Sequence, residues 1–277
     1  RQDMLPVYDT GITDFNLSTI YSENPYVGQD RLVDNNALTL GVNSRFFDAS
    51  NGAELLRLGM AQRIRFADQQ VTLPGQTADK SGFSDLLLGA GMRWDDRWSV
   101  DSLVQLNPQT STVSRATLQT RYNPGPYRLL NMAYRVNRNV SAGTSASELV
   151  DVGWQWPMSS FTWGEKPDDS GVVKGGQGLG ADRWYTVGRM NFSMTDHKLV
   201  DTLIGFEYDA GCWLGRVVLE RLHSTVSTST SRLLFQLEFI GLARVGASPL
   251  QSLKNNIQRY QFLRDDPSST SRFLQYE

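Results

Sequence analysis

Ala37-Leu38-Thr39-Leu40-Gly41-Val42-Asn43-Ser44-Arg45-Phe46 is the stretch on which the reading of the fold turns. In an extended chain successive side chains point to opposite faces, so Leu38, Leu40, Val42 and Phe46 share one side, and Ala37, Thr39, Gly41, Asn43 and Arg45 the other. One side is oily; the other is small or polar. The same period continues downstream. Between Leu55 and Phe66, the residues Leu56, Leu58, Met60, Ile64 and Phe66 stand opposite Arg57, Gly59, Ala61, Arg63 and Arg65, with Gln62 the one misfit. Leu86, Leu88, Ala90, Met92 and Trp94 then oppose Leu87, Gly89, Gly91 and Arg93, and Asp95-Asp96 turns the chain. Comparable segments run from Trp98 to Leu106, Arg115 to Tyr122, Tyr127 to Val136, Glu148 to Trp156, Trp184 to Met194, Leu199 to Tyr208, Cys212 to Arg221 and Ser231 to Gly241. With a shorter one at Phe15 to Ile20, roughly a dozen strands are expected. Helical periodicity shows weakly, from Leu250 to Ile257. The fold class is all-β and antiparallel.

Segment length separates the two all-β architectures. Soluble sandwiches use strands of about 5 to 6 residues, whereas a tilted membrane-crossing strand needs about 9 to 11, and most segments here are near ten. This predicts a transmembrane β-barrel. Tight turns such as Asp95-Asp96 and Thr195 to Lys198 alternate with long polar loops such as Ala67 to Ser84 and Glu165 to Asp182, which fits short periplasmic turns and long extracellular loops. Asn123-Pro124-Gly125-Pro126 is a further turn signal. Trp94, Trp98, Tyr122, Tyr127, Trp154, Trp156, Trp163 and Trp184 gather at strand ends, where amphipathic rings would meet lipid headgroups. The competing reading is a soluble β-sandwich with ordinary core aromatics.

Composition agrees. The 277 residues are 40% apolar and 20% charged, with 24 Gly, one Cys and a net charge of −2, which excludes disordered, collagen-like and disulfide-stapled chains. The near-zero charge argues against nucleic acid as a partner, because phosphate neutralisation needs a clustered basic excess. The longest apolar runs span only a few residues, far short of the ~20 of a membrane helix, but a β-barrel leaves a weaker signal and stays open. Arg1 to Asp9 lacks the pattern of a signal peptide. Strands and loops are expected over 1–245 and a C-terminal tail over 246–277.

No catalytic constellation stands out. His197 falls in a predicted turn and His223 beside Ser224 at a strand end; a hydrolase would need an orienting partner for either. Asp95-Asp96 and Asp168-Asp169 read as turn chemistry. No Cys/His spacing suggests zinc and no Gly-rich strand-to-helix turn would hold phosphate, so neither metal nor cofactor is expected, and the chain is not expected to be an enzyme. More informative is arginine: Arg57, Arg63, Arg65, Arg93, Arg115, Arg121, Arg189 and Arg216 recur on predicted inward faces alongside Asp101, Asp151, Asp201, Glu207, Glu220 and Glu238. A mixed-charge, water-filled interior held by cross-strand ion pairs accounts for this more simply than a dedicated anion track. Cys212 has three readings: a disulfide with a cysteine outside the chain, a free thiol, or a small buried strand residue.

Tyr21-Ser22-Glu23-Asn24-Pro25-Tyr26-Val27-Gly28-Gln29-Asp30-Arg31-Leu32-Val33-Asp34-Asn35-Asn36, running into Ala37 to Arg45, resembles the N-R-F-S-G-x-D-R-x-x-D-x-N segment of the LptD family of lipopolysaccharide-assembly outer-membrane proteins. Asn123 to Pro126, Glu207-Tyr208-Asp209-Ala210-Gly211-Cys212-Trp213 and Phe235 to Gly246 resemble that family's C-terminal half. The resemblance implies the later part of a larger barrel, without the N-terminal periplasmic jellyroll and the first strands. It implies lipopolysaccharide received from an LptA-like periplasmic bridge, an LptE-like lipoprotein plugging the lumen, outer-membrane lipids around it, and acyl chains leaving through a lateral gate between first and last strands. Ser231, Leu233, Phe235, Leu237, Phe239 and Gly241 would form one side of that gate. Many members carry two adjacent cysteines that form disulfides with the N-terminal domain; Gly211-Cys212 keeps only the second, so the resemblance implies one disulfide from Cys212 to a partner outside this chain. A porin is the runner-up function, and an outer-membrane enzyme using His223 the remote one.

Overall fold

The computed structural model describes residues 6–28, 31–76, 78–138, 146–158, 183–223, 229–240 and 242–264. Their strands are β1 (Gly11–Ile12), β2 (Tyr26–Val27), β3 (Ala37–Phe47), β4 (Glu54–Arg65), β5 (Gly82–Phe83), β6 (Leu86–Arg93), β7 (Trp98–Asn107), β8 (Thr112–Gly125), β9 (Arg128–Asn137), β10 (Ser147–Pro157), β11 (Arg183–Ser193), β12 (Lys198–Asp209), β13 (Trp213–His223), β14 (Ser229–Phe239) and β15 (Ala243–Gly246), followed by one short helix, α1 (Leu250–Asn256). β1 pairs with β2. The rest form one sheet in the order β15-β14-β13-β12-β11-β10-β9-β8-β7-β6-β4-β3, with β5 beside β4. Apart from β5 and β15, its strands have 8 to 14 residues, the length a tilted membrane strand requires. No helix of the described residues is long and apolar enough to cross a membrane.

The two faces of the sheet are inverted relative to a water-soluble protein. Leu40, Val42, Met60, Leu233 and Phe235 are about half exposed or more, whereas Arg63, Glu207, Arg216 and Glu238 are nearly or fully buried. Cross-strand register keeps each set together: Leu38 faces Ile64, Val42 faces Met60 and Phe46 faces Leu56. An oily outer band with the charges on the covered side is the pattern of a transmembrane β-barrel wall, and the sandwich reading fails on it.

Chain contacts define two compact units. The first comprises Arg1–Asp95, Ser99–Gln119 and Tyr134–Glu148; the second comprises Asp96–Trp98, Thr120–Ala133 and Leu149–Glu277. Residues 250–264, expected as part of a tail, belong to the body of the second unit.

Several expected elements differ. Phe15 to Ile20 is a turn rather than a strand: Asn16 Oδ1 accepts the backbone N–H of Ser18 (2.9 Å) and Thr19 (3.1 Å), and Ile20 N–H donates to the Asn16 carbonyl (2.9 Å). Asn, Ser and Thr side chains offer the backbone these local bonds in place of a ladder. β8 runs on through Asn123-Pro124-Gly125, and the turn falls at Tyr127, whose φ is 55°. The last regular strand, expected at about Ser231 to Gly241, corresponds to β14, and the four-residue β15 follows it, pairing with Gln236 to Phe239. Gly241, Trp163, Asp168-Asp169 and the whole Glu165 to Asp182 loop lie outside the described residues.

Candidate functional site

In the first unit the covered face is built around missing side chains. Gly59 on β4 pairs directly with Gly89 on β6, and Gly41 lies on neighbouring β3. A Cβ on Gly59 would stand 3.3 Å from Leu17 Cδ1; one on Gly89 would collide with Leu17, and one on Gly41 with the Tyr21 hydroxyl. The 16–21 turn therefore sits on a strip of bare backbone, with Ile20 buried against Ala61 and Leu87. Arg63 fastens it, donating to the carbonyls of Ile20 and Ser22 (3.0 Å) and to Thr39 Oγ1 (3.2 Å).

The segment after this turn is held by its own polar residues. Asn24 Nδ2 donates to the carbonyls of Tyr26 (3.2 Å) and Arg31 (3.1 Å), while its Oδ1 accepts from Val33 N–H (3.2 Å). Arg31 donates to the Thr72 carbonyl, and Asp34 accepts the N–H groups of Gln70 (2.8 Å) and Val71 (3.1 Å). Partial burial pushes the Asp34 acid up, but these backbone donors outweigh it and hold the carboxyl below the usual range. Beside the turn lies a cavity of about 650 Å³ whose lining includes Asn43, Arg45, Arg57, Asp101, Thr117 and Gln119. Arg45 and Arg57 face each other across β3 and β4. Their carboxylates are distant: Glu54 at 3.9 and 3.8 Å, and Asp101 at 3.5 Å from Arg57, with both guanidinium groups about half exposed.

The second unit is dry by comparison. Leu129 on β9, Val187 on β11, Leu203 on β12 and Val218 on β13 put apolar side chains on the covered face, where Leu250, Leu253, Ile257 and Tyr260 pack on them. Leu263 joins Tyr127, Tyr185 and Leu214. The 250–264 segment is also stitched to the wall by polar groups. Gln155 exchanges two bonds with the backbone of Gln261 (2.8 and 2.9 Å), and Asn131 donates to the Gln258 carbonyl (2.9 Å). Tyr260 donates to Glu207 (2.6 Å), and Arg264 grips both oxygens of Asp209 (2.7 and 2.9 Å). Burial, then the Glu207 charge, pushes the Tyr260 phenol well above its ordinary range, so it remains a donor. Beneath the segment Arg216 bridges Glu207 (2.9 Å) and Glu238 (2.8 Å), all three nearly or fully buried, and Arg244 on β15 reaches Glu238 at 3.0 Å.

The arginines expected on inward faces are thus distributed unevenly. Arg63 and Arg65 are buried, the latter 3.2 Å from Asp79; Arg115 meets Asp14 at 3.3 Å; Arg189 pairs with Asp151 and also donates to Asn256 (3.1 Å); Arg216 anchors the buried cluster. Arg57 lines the cavity, Arg93 is exposed near the end of β6, and Arg121 is partly buried on β8. On β14, Leu233, Phe235 and Phe239 are exposed, as is Ser231, with Leu237 partly so, while Gln236 and Glu238 are buried. Aromatic rings line one end of the second unit's strands, Trp98–Tyr122 at 4.4 Å, Tyr122–Trp156 at 6.4 Å, Trp184–Tyr208 at 4.7 Å and Tyr208–Trp213 at 5.4 Å between centroids. Tyr127 departs from the expected belt: it is buried on the covered face. His197 occupies the β11–β12 turn and His223 ends β13. Cys212 is exposed in the β12–β13 turn, so it is not a small buried strand residue. Strand parity places it at the same end of the sheet as the last residues of β10 and the first of β11.

What sequence reading missed is the cover. Leu129, Val187, Leu203, Leu214 and Val218 were apolar residues with no lipid to face, and they were the signal for it. The family model for LptD, described as LPS transport system D, matches residues 1–162. This chain belongs to the LptD family. LPS-assembly protein LptD of Paracidovorax citrulli (strain AAC00-1) is 54% identical to it over 278 residues, covering 100% of this chain and 33% of the relative. LptD of Acidovorax sp. (strain JS42) is 51% identical with the same coverage, and LptD of Thiobacillus denitrificans is 36% identical over 94% of the chain and 32% of the relative. The chain spans about a third of the length of these curated LptD relatives.

Proposed function

We infer that this chain is part of an outer-membrane barrel that carries lipopolysaccharide to the outer leaflet. The observation that supports this best is the inverted wall, oily residues exposed and charged residues covered, in a chain of the LPS transport system D family. Its relatives are named LPS-assembly proteins. Acyl chains would leave sideways into the membrane while the sugars stay in water, and the first unit's cavity, with its amides, hydroxyls and loosely paired arginines, suits a hydrated anionic glycan. The lateral gate would lie beside β14, from Ser231 through Leu233, Phe235, Leu237 and Phe239 to Gly241, with β15 as its outermost strand. An LptE-like lipoprotein would plug the lumen, and an LptA-like bridge would deliver cargo through a periplasmic domain. Cys212, exposed in its turn, would form its disulfide with that domain, which makes its end of the strands periplasmic. No hydrolytic step is needed. A porin fits less well, because the second unit's covered face is filled by protein.

Purification of the full-length protein in detergent tests the reading. A lipoprotein partner and lipopolysaccharide should co-purify, and Cys212→Ser should remove one disulfide-dependent band on a non-reducing gel. A protein that arrives alone and conducts ions steadily would make it a porin.

A further inference from the structure

We propose that residues 250–264 are an internal latch on the last strand: docked on β9–β13 they steady β15 against β14 and limit how far it can part until they release. The regulation assigned rests on the export reading, but the latch itself is a mechanical claim about one edge of the sheet.

Three observations carry it. First, β15 is weak on its own. It pairs at four positions, Ala243–Phe239 to Gly246–Gln236, and all four of its residues are exposed. So short and uncovered a strand needs support from elsewhere. Second, the support is tethered to it. Gly246 has φ +101° and lies against the Phe235 carbonyl, where any Cβ would collide, so the chain turns off the sheet there. From Gly246 to Leu250 are four Cα steps, which span at most about 14 Å when fully extended. With Leu250, Leu253 and Ile257 packed on the wall, β15 cannot travel farther than that leash allows. Third, a line of charged bonds, buried as far as Glu238, joins latch to strand. Tyr260 donates to Glu207, Arg216 bridges Glu207 to Glu238, and Arg244 of β15 also holds Glu238. Withdrawing Tyr260 takes one donor from Glu207, leaving Arg216 as the other, and loosens the anchor that Glu238 provides to Arg244; in a dry setting such networks weaken together.

Hydrogen exchange of the full-length protein with its natural partners, embedded in lipid, tests this. In the Tyr260→Phe/Arg264→Ala variant the amides of β15 should exchange at least tenfold faster, while β10–β12 keep their protection. A Gln155→Cys/Gln261→Cys pair, oxidised and verified by mass spectrometry, should slow β15 exchange at least tenfold, reversibly on reduction. Unchanged β15 exchange in either variant overturns the latch. If the loosened variant fails to fold, the locked pair decides alone. Surface delivery of lipopolysaccharide on the same locked protein separates the two claims. Loss on oxidation with recovery on reduction places the latch in the export cycle. Altered β15 exchange with undisturbed delivery keeps the latch and counts against its role in export.

Discussion

Two arginine clusters, one in each unit, are held in opposite ways. In the second, Arg216 sits between Glu207 and Glu238 at 2.9 and 2.8 Å with essentially no exposure; in the first, Arg45 and Arg57 stand 3.5 to 3.9 Å from their nearest carboxylates and are half exposed. Fully buried charges must be partnered, because removal from water is costly, whereas half-hydrated ones gain little from pairing and stay available to a visitor. The same residue type is thus structural on one stretch of wall and accessible on another. Composition could not separate the two, but a covering segment does. One unit is covered by a turn on bare glycine backbone beside a cavity, the other by an apolar segment that leaves its wall dry.

The contrast predicts a graded set of effects. Arg216→Ala should be the most damaging, since it removes the buried cation between two carboxylates of a dry cluster; a loss of about 3–5 kcal/mol is expected, read as a lower urea midpoint for the heat-modifiable gel shift of the folded barrel. A loss under about 1 kcal/mol would mean that water reaches this cluster after all. Gly89→Val comes next. Filling the bare strip should cost about 1–3 kcal/mol by pushing Leu17 out, and Leu17→Ala in the same chain should recover more than half of it. Simple additivity of the two changes would show that the turn does not depend on the strip. Arg57→Ala should be the mildest for stability, below about 1 kcal/mol in the same gel assay. Its effect belongs in binding, as weaker retention of a phosphorylated glycan in an equilibrium-dialysis measurement. A stability loss as large as that of Arg216→Ala would erase the distinction between the units.

Much of the wall was legible because one rule dominates it. Between Ala37 and Phe66 the period of two sorts Leu38, Leu40, Val42, Leu58 and Met60 to the exposed face and Arg63 and Arg65 to the covered one, and tertiary packing does not override it. Phe15 to Ile20 misled because Phe15, Leu17 and the β-branched residues suggest a strand, while Asn16 closes a turn through its own side chain. Partners within the second unit were beyond reach for another reason. That Arg216 meets Glu207 depends on a register set across the β12–β13 turn, and that Tyr260 meets Glu207 depends on where a segment 53 residues later lies down. The apolar residues of the covered face were visible in the sequence, but their meaning required knowing what lay on top of them.

The Gln155–Gln261 and Asn131–Gln258 bonds join residues 106 and 127 positions apart. During biogenesis, then, the hairpins from β9 to β13 can zip up by neighbour-to-neighbour contacts while their leucines and valines still face a wet interior. Only the arrival of a much later piece of chain ends that exposure, so completion of the wall is a distant closure event and by nature a slow one.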